Sequence, residues 1–302
     1  MKCTSVKLCA VLALVVVGVS FEAARADFVL VEDFEGLALG PIDDQGGWVA
    51  ENDTSVVTLD PADETNQVLA VTTDSTHLYR SALILNGTVR MMFVRFRFAE
   101  QQNYSFGMSD SVAPDQFGHF EVELSMTNAT NELRVNDGGT YDELGLFTPG
   151  TWYNVWILVN NITDETQLFL HDRPGGDATM DDQLDVDGQT VFDFRNGSAG
   201  NLVNFFIKTG GGSGPSGPLY IDDIYIENTD ALNLHNPAGE PGCPADANGD
   251  GVTDQADLGI LLSAFGASEG DPDYNPNVDY DGDGTVGQAD LGFLLADFGC
   301  GT

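Results

Sequence analysis

From residue 27 to about residue 230 the chain alternates apolar and polar positions in short runs. The clearest are Met91–Phe98, His119–Leu124, Tyr153–Val159, Thr166–Leu170 and Leu219–Ile226, separated by clusters of Gly, Asn and Asp. A two-residue period with this punctuation predicts antiparallel strands that bury one face. No long helical period intervenes, and about 200 residues of this kind fit two packed sheets. The expected fold is mainly β, an antiparallel β-sandwich over 27–230.

Residues 231–242 lose the alternation and contain two prolines, which marks a linker. Residues 243–302 hold an internal repeat: a fourteen-residue stretch from Asp246 recurs from Asp279. Each copy begins with a twelve-residue loop carrying oxygen side chains at its first, third, fifth and last positions. These are Asp246, Asn248, Asp250 and Asp257, then Asp279, Asp281, Asp283 and Asp290. Calcium takes roughly six to eight oxygen ligands, and alternate residues of a tightly curled loop point toward one centre. The sixth position turns sharply and is glycine in both copies, Gly251 and Gly284. The seventh offers a backbone carbonyl, from Val252 or Thr285, and the ninth acts through water, from Asp254 in the first copy. An apolar helical pattern follows each loop: Leu258, Leu261, Leu262, Phe265 and Leu291, Leu294, Leu295, Phe298, two faces expected to pack on each other.

A duplicated loop-then-helix unit ending in Asp, with no entering helix, resembles the type I dockerin family over about residues 244–299. The resemblance implies a small α-helical module binding two Ca2+ ions and docking to a cohesin-like or other surface protein, in a secreted bacterial chain. Dockerins commonly carry hydroxyl residues at loop positions ten and eleven, where this chain has Gln255-Ala256 and Gln288-Ala289.

Charge and cysteines sharpen this. Residues 1–26 read as a secretory signal peptide, with Lys2 and Lys7, an apolar stretch Leu8–Val19, and small residues at Ala24-Arg25-Ala26. The apolar stretch is too short for a stable membrane span, and no other segment is long enough to cross. Beyond it remain eight basic and 47 acidic residues. That balance repels phosphate backbones and excludes nucleic acid as a partner. It repels anionic polysaccharides too, except at a local arginine cluster. Cys243 and Cys300 bracket the acidic module, and in an exported chain they are expected to pair.

The tryptophan-opened strand Trp152-Tyr153-Asn154-Val155-Trp156, the short apolar strand after it, and the closing Tyr220–Ile226 resemble the laminin-G/concanavalin A-like jelly-roll superfamily. That resemblance implies a jelly roll in a superfamily of glycan binders, glycoside hydrolases, lyases and adhesion domains, so fold alone does not assign a function. Strand periodicity leaves Arg95 and Arg97 opposite Val94, Phe96 and Phe98, and leaves His119, Glu121 and Glu123 opposite Phe120, Val122 and Leu124. One reading places these polar sets on a shared carbohydrate-binding face, with Tyr79 and Arg80. The other makes them cross-strand ion pairs on a solvated face. Glu121 and Glu123, with His119, are also the candidates for catalysis, since a glycosidase needs two carboxyls about 5–9.5 Å apart. No nucleophile elbow, phosphate loop, zinc motif or lyase motif is present. The expectation is a carbohydrate-binding or adhesion sandwich with a calcium-dependent docking module. The alternatives are a polysaccharide hydrolase or lyase, and a structural matrix or envelope protein.

Overall fold

A computed structural model describes residues 28–72, 76–99, 103–127, 132–173, 175–197, 200–210, 217–238, 243, 245–248 and 252–300. The segment expected to be a signal peptide, Asp250 and Gly251 lie outside the described residues.

Sixteen strands are found among the described residues. In chain order they are β1 (Phe28–Glu32), β2 (Gly40–Pro41), β3 (Trp48–Ala50), β4 (Val56–Asp60), β5 (Asp63–Val71), β6 (His77–Ile84), β7 (Val89–Phe98) and β8 (Tyr104–Ser109). Then come β9 (Val122–Met126), β10 (Glu132–Asp137), β11 (Thr140–Leu146), β12 (Tyr153–Asn160), β13 (Glu165–His171), β14 (Phe192–Asp193), β15 (Leu202–Thr209) and β16 (Leu219–Glu227). They form a nine-stranded sheet, ordered β14-β13-β12-β7-β16-β5-β4-β2 with β1 also on β16, and a seven-stranded sheet, ordered β11-β10-β9-β8-β15-β6-β3. Every pairing is antiparallel.

Alternation decides what lies between the sheets. Met92, Val94, Phe96 and Phe98 of β7 meet Tyr104, Phe106 and Met108 of β8, Val122 and Leu124 of β9, and Phe205 and Ile207 of β15 in one core. Phe96 and Phe106 approach to 5.2 Å across it. Burying side chains of this size, each contributing roughly 1.5–3 kcal/mol, holds the two layers together. Trp48 belongs to this core, stacked on Phe34, with its indole N–H donating to Glu32.

The strand expected over 119–124 begins at Val122 instead. Residues 117–119 form a 3-10 turn, closed by Phe120 N–H donating to the Phe117 carbonyl. Phe120 then lies against Phe206 at 4.3 Å on the outside of the seven-stranded sheet.

Part of the stretch read as a linker is fastened down. Trp156 donates its indole N–H to the His235 carbonyl, Ala178 N–H donates to the Leu234 carbonyl, and Asn236 N–H donates to Asp177. Leu234 and Ala238 thereby close a second cluster of Met91, Phe93, Trp156 and Phe169 on the outer face of the nine-stranded sheet.

In the C-terminal module two ten-residue helices, α1 (Gln255–Ala264) and α2 (Gln288–Asp297), follow the two loops. Thr253, eighth in the first loop, exchanges backbone hydrogen bonds with Gly299 and Cys300 beyond α2. Val286, eighth in the second loop, exchanges them with Gly266 and Ala267 beyond α1. Each loop is thus tied to the exit of the other helix, a pseudo-twofold arrangement. Cys243 and Cys300 form the expected disulfide beside one of these ties, with Cα atoms 5.4 Å apart. The module core holds Leu261, Leu294, Val278, Val286, Ala245 and Ala264. The expected packing of whole helical faces is only half met. Leu262, Phe265, Leu295 and Phe298 stay exposed, because short helices tied at both ends meet along one row each. Among the described residues no helix is long and apolar enough to cross a membrane.

Candidate functional site

In the second loop the carboxylates of Asp279, Asp281 and Asp283 bring one oxygen each within 4.8 Å of one another. Asp279 Oδ2 accepts from the Gly284 amide at 2.9 Å and from the Tyr274 hydroxyl at 2.6 Å. Asp279 Oδ1 is shielded from solvent and accepts from no donor. A sheltered carboxylate oxygen without a donor, beside two further carboxylates, is a donor set suited to a hard cation. The hydrogen bond to Asp279, then burial and the other carboxylates, push the Tyr274 hydroxyl up to about 12. At Asp281 the Asp283 amide favours the charged form, yet burial and the carboxylates of Asp283, Asp290 and Asp279 raise it overall. Thr285 N–H donates to Asp283 Oδ1, which closes the turn from the fifth to the seventh position.

The last loop position is also tied to its own loop. Asp290 accepts from the amides of Tyr280 and Asp281 on Oδ1 and of Gly287 on Oδ2. Asp257 does the same in the first loop, accepting from Ala247, Asn248 and Asp254. A carboxylate offers about four lone-pair sites, so each keeps at most one for an ion. Both residues are almost fully buried and hold the start of a helix to the start of its loop. Asp254 caps α1 by accepting from the Ala256 amide at 2.6 Å. Asp246, Asn248 and Val252 are described, but the first loop's centre is incomplete because Asp250 lies outside the described residues.

The sandwich separates the two polar sets that the sequence reading placed together. Arg95 and Arg97 lie on β7, in the nine-stranded sheet, whereas Glu123 lies on β9, in the seven-stranded one. Since Phe96 and Leu124 both point between the layers, Arg95 and Arg97 face one outside of the sandwich and Glu123 the other.

On the nine-stranded side the arginines pair with carboxylates, while Arg97 Nε is shielded and meets no acceptor. Arg97 donates to Asp60, which also accepts from Trp152 Nε1 at 2.8 Å. Arg95 donates to Asp223 at 2.9 Å and stacks 5.0 Å from the Trp152 ring. Asp222 and Asp223 sit in a bulge where the neighbour of β16 changes from β5 to β1, and Asp223 has φ +51°. Burial, then repulsion from Asp223, pushes Asp222 up to about 8.

The outer face of the seven-stranded sheet carries a row in which polar and aromatic side chains meet. Register places Tyr79, Phe206, Gly107 and Glu123 side by side on β6, β15, β8 and β9. Asn136 and Tyr141, paired on β10 and β11, extend the row. Glu123 is fully buried and accepts four hydrogen bonds. Ser105 and Tyr141 donate to Oε1 at 2.8 Å each; Asn136 and Arg195 donate to Oε2 at 3.2 and 2.6 Å. Arg195 also donates to the Tyr141 hydroxyl at 3.1 Å. Burial, with the Glu123 charge, raises the Tyr141 hydroxyl. Gly107 leaves the floor clear: its φ is +154°, and a Cβ there would lie 2.0 Å from the Val122 carbonyl oxygen.

Glu121 lies just before β9, two residues along the chain from Glu123, and accepts from the Asn196 amide and side chain. Burial and Asp110 raise its carboxyl. His119 is held apart in the 3-10 turn, between Asp115 and Gln116. Arg80 pairs with Glu32 beside Trp48, away from the row. The sequence reading missed Ser105, Asn136, Tyr141 and Arg195, whose meeting depends on strand order and on a loop, neither encoded in alternation.

No family model and no curated protein matches the chain. Among solved structures, a protein described as a sialidase aligns at TM-score 0.50 and 12% identity, over 68% of this chain and 19% of its own. The catalytic domain of a glycoside hydrolase family 131 protein from Coprinopsis cinerea aligns at TM-score 0.48 and 14% identity, over 70% of this chain and 99% of its own. Arcelin-5, a lectin-like defense protein from Phaseolus vulgaris, aligns at TM-score 0.42 and 9% identity, over 62% and 94%. The chain spans about a fifth of the sialidase's length, and the likeness to it is one of fold.

Proposed function

We propose that this chain is an exported carbohydrate-binding protein whose C-terminal repeat, organised by calcium, docks it to a cohesin-like or other surface protein. The glycan site is the outer face of the seven-stranded sheet. The observation that supports it is a cluster of buried polar side chains, Ser105, Glu123 and Asn136, with Tyr79, Tyr141 and Arg195 half-buried around it. Ligand sites commonly combine a few fixed polar groups with aromatic side chains. Binding is favoured over catalysis because Glu123, one of the two candidate carboxylates, is taken. It accepts four protein donors, which fill its lone-pair sites, so it presents no free oxygen for proton transfer. Tyr141, raised and donating to Glu123, is a poor base for elimination.

For the docking half, Asp279, Asp281 and Asp283 would hold one ion, and Asp246, Asn248 and Asp250 the corresponding one. Bound calcium supplies charge neutralisation that lets the loop carboxylates converge, and so it fixes the helices. The exposed pairs Leu262/Phe265 and Leu295/Phe298, equivalent in the repeat, then form the apolar contact for a protein partner.

A glycan panel probed with the full chain tests the sandwich half. Retention of at least one polysaccharide, lost in Tyr141→Ala without loss of fold, is the expected result. A blank panel, with surface proteins captured in the presence of calcium, points to a structural matrix role instead. Release of reducing ends shows an enzyme.

A further inference from the structure

Arg80, Arg90, Arg95, Arg97, Arg173 and Arg195 each form an ion pair with a carboxylate. Among the described residues Arg134 is the arginine that forms none. It stands on β10 on the outer face of the seven-stranded sheet, next to the polar row. Ladder register sets it between Ser125 and Glu143. Its Nη2 donates to Ser125 Oγ at 3.2 Å, and its guanidinium carbon lies 4.4 Å from the centre of the Tyr141 ring. Its Nε is shielded from solvent and meets no acceptor. Tyr141 is itself fixed between Glu123 and Arg195, so Arg134 rests on a rigid platform.

A half-buried guanidinium has about five donors and a desolvation cost that an anion normally offsets. In a chain of formal charge −37, six arginines have such a partner and Arg134 does not. We infer that Arg134 is the specificity residue for an anionic sugar, binding a glycan carboxylate or sulfate through its unused donors. The inference rests on the glycan-binding reading of this face. A planar guanidinium matches a hexuronate carboxylate in a two-point hydrogen bond, and the stacked, tethered side chain loses little freedom on binding.

The test is calorimetry of the full chain with hexuronate oligosaccharides, with the same oligosaccharides after carboxyl reduction, and with sulfated galactan oligosaccharides. The expected result is about tenfold or greater preference for an anionic form over its neutral counterpart. Arg134→Gln removes that preference and keeps neutral-sugar binding, while Arg134→Lys retains part of it. Preference for the uronate assigns a carboxylate, and preference for the galactan assigns a sulfate. Equal binding of charged and neutral forms by the wild type overturns the inference and leaves glycan binding standing. No binding to any of them overturns both. Unchanged melting of the two variants separates loss of preference from loss of fold.

Discussion

Glu123 is buried with Arg195, and its removal leaves a guanidinium without its anion together with three idle donors. Glu123→Ala is therefore expected to destabilise the sandwich by about 3–5 kcal/mol, read from urea midpoints, whereas a mere surface pair would lose under about 1 kcal/mol. Gly107→Ala places a Cβ against the Val122 carbonyl and should destabilise by roughly 1–3 kcal/mol or more in the same assay. Asp222 gives a pH dependence of unusual sign. Its folded-state carboxyl is raised to about 8 from 3.8, so folding takes up a proton across that window. Stability should fall as pH rises from about 4 to about 8, and Asp222→Asn should flatten that fall. Parallel pH profiles for the two proteins would contradict the assignment. None of these three roles was legible in advance. The Glu123 side chain was placed on the correct face by alternation, but its partners come from β8, β10, β11 and a loop. The bulge at Asp222 interrupts a run that reads as an unbroken strand.

Elements were more legible than contacts. Strands β7, β12, β13 and β16 fall within a residue or two of the expected runs, because each buries one face and so shows the period of two. Sheet membership was not visible: nothing in a single strand's pattern tells which layer it joins, and of the two readings of Arg95, Arg97 and Glu123 the shared face failed on that point, while Arg95 and Arg97 form ion pairs. The repeat was legible in detail because two glycines and eight oxygen side chains recur at fixed offset. What it hid is the division of labour within the loop. The last aspartates and Asp254 accept amides at the helix start, and Asp279, Asp281 and Asp283 come together in the second loop. The disulfide belongs to this scale too. It closes a separation of 57 residues, worth on the order of 4 kcal/mol in the chain-entropy model. Cys243→Ser with Cys300→Ser should lower the melting of the module while leaving the sandwich transition in place, as separate calorimetric transitions would show.

At the scale of the whole molecule, a sandwich with ion pairs on one outer face and a buried polar cluster on the other is joined in sequence to a duplicated acidic module. Part of the acidity is carried by the loops, which set carboxylates close together. The chain's central claim is therefore about calcium, and the most direct test is a calorimetric titration of the full, disulfide-intact chain with Ca2+, followed in parallel by circular dichroism. Two bound ions with a gain of helix are predicted, and Asp246→Ala with Asp279→Ala should abolish both while the sandwich still melts as before. No heat of binding, or binding unchanged in that double variant, would contradict the account of the repeat.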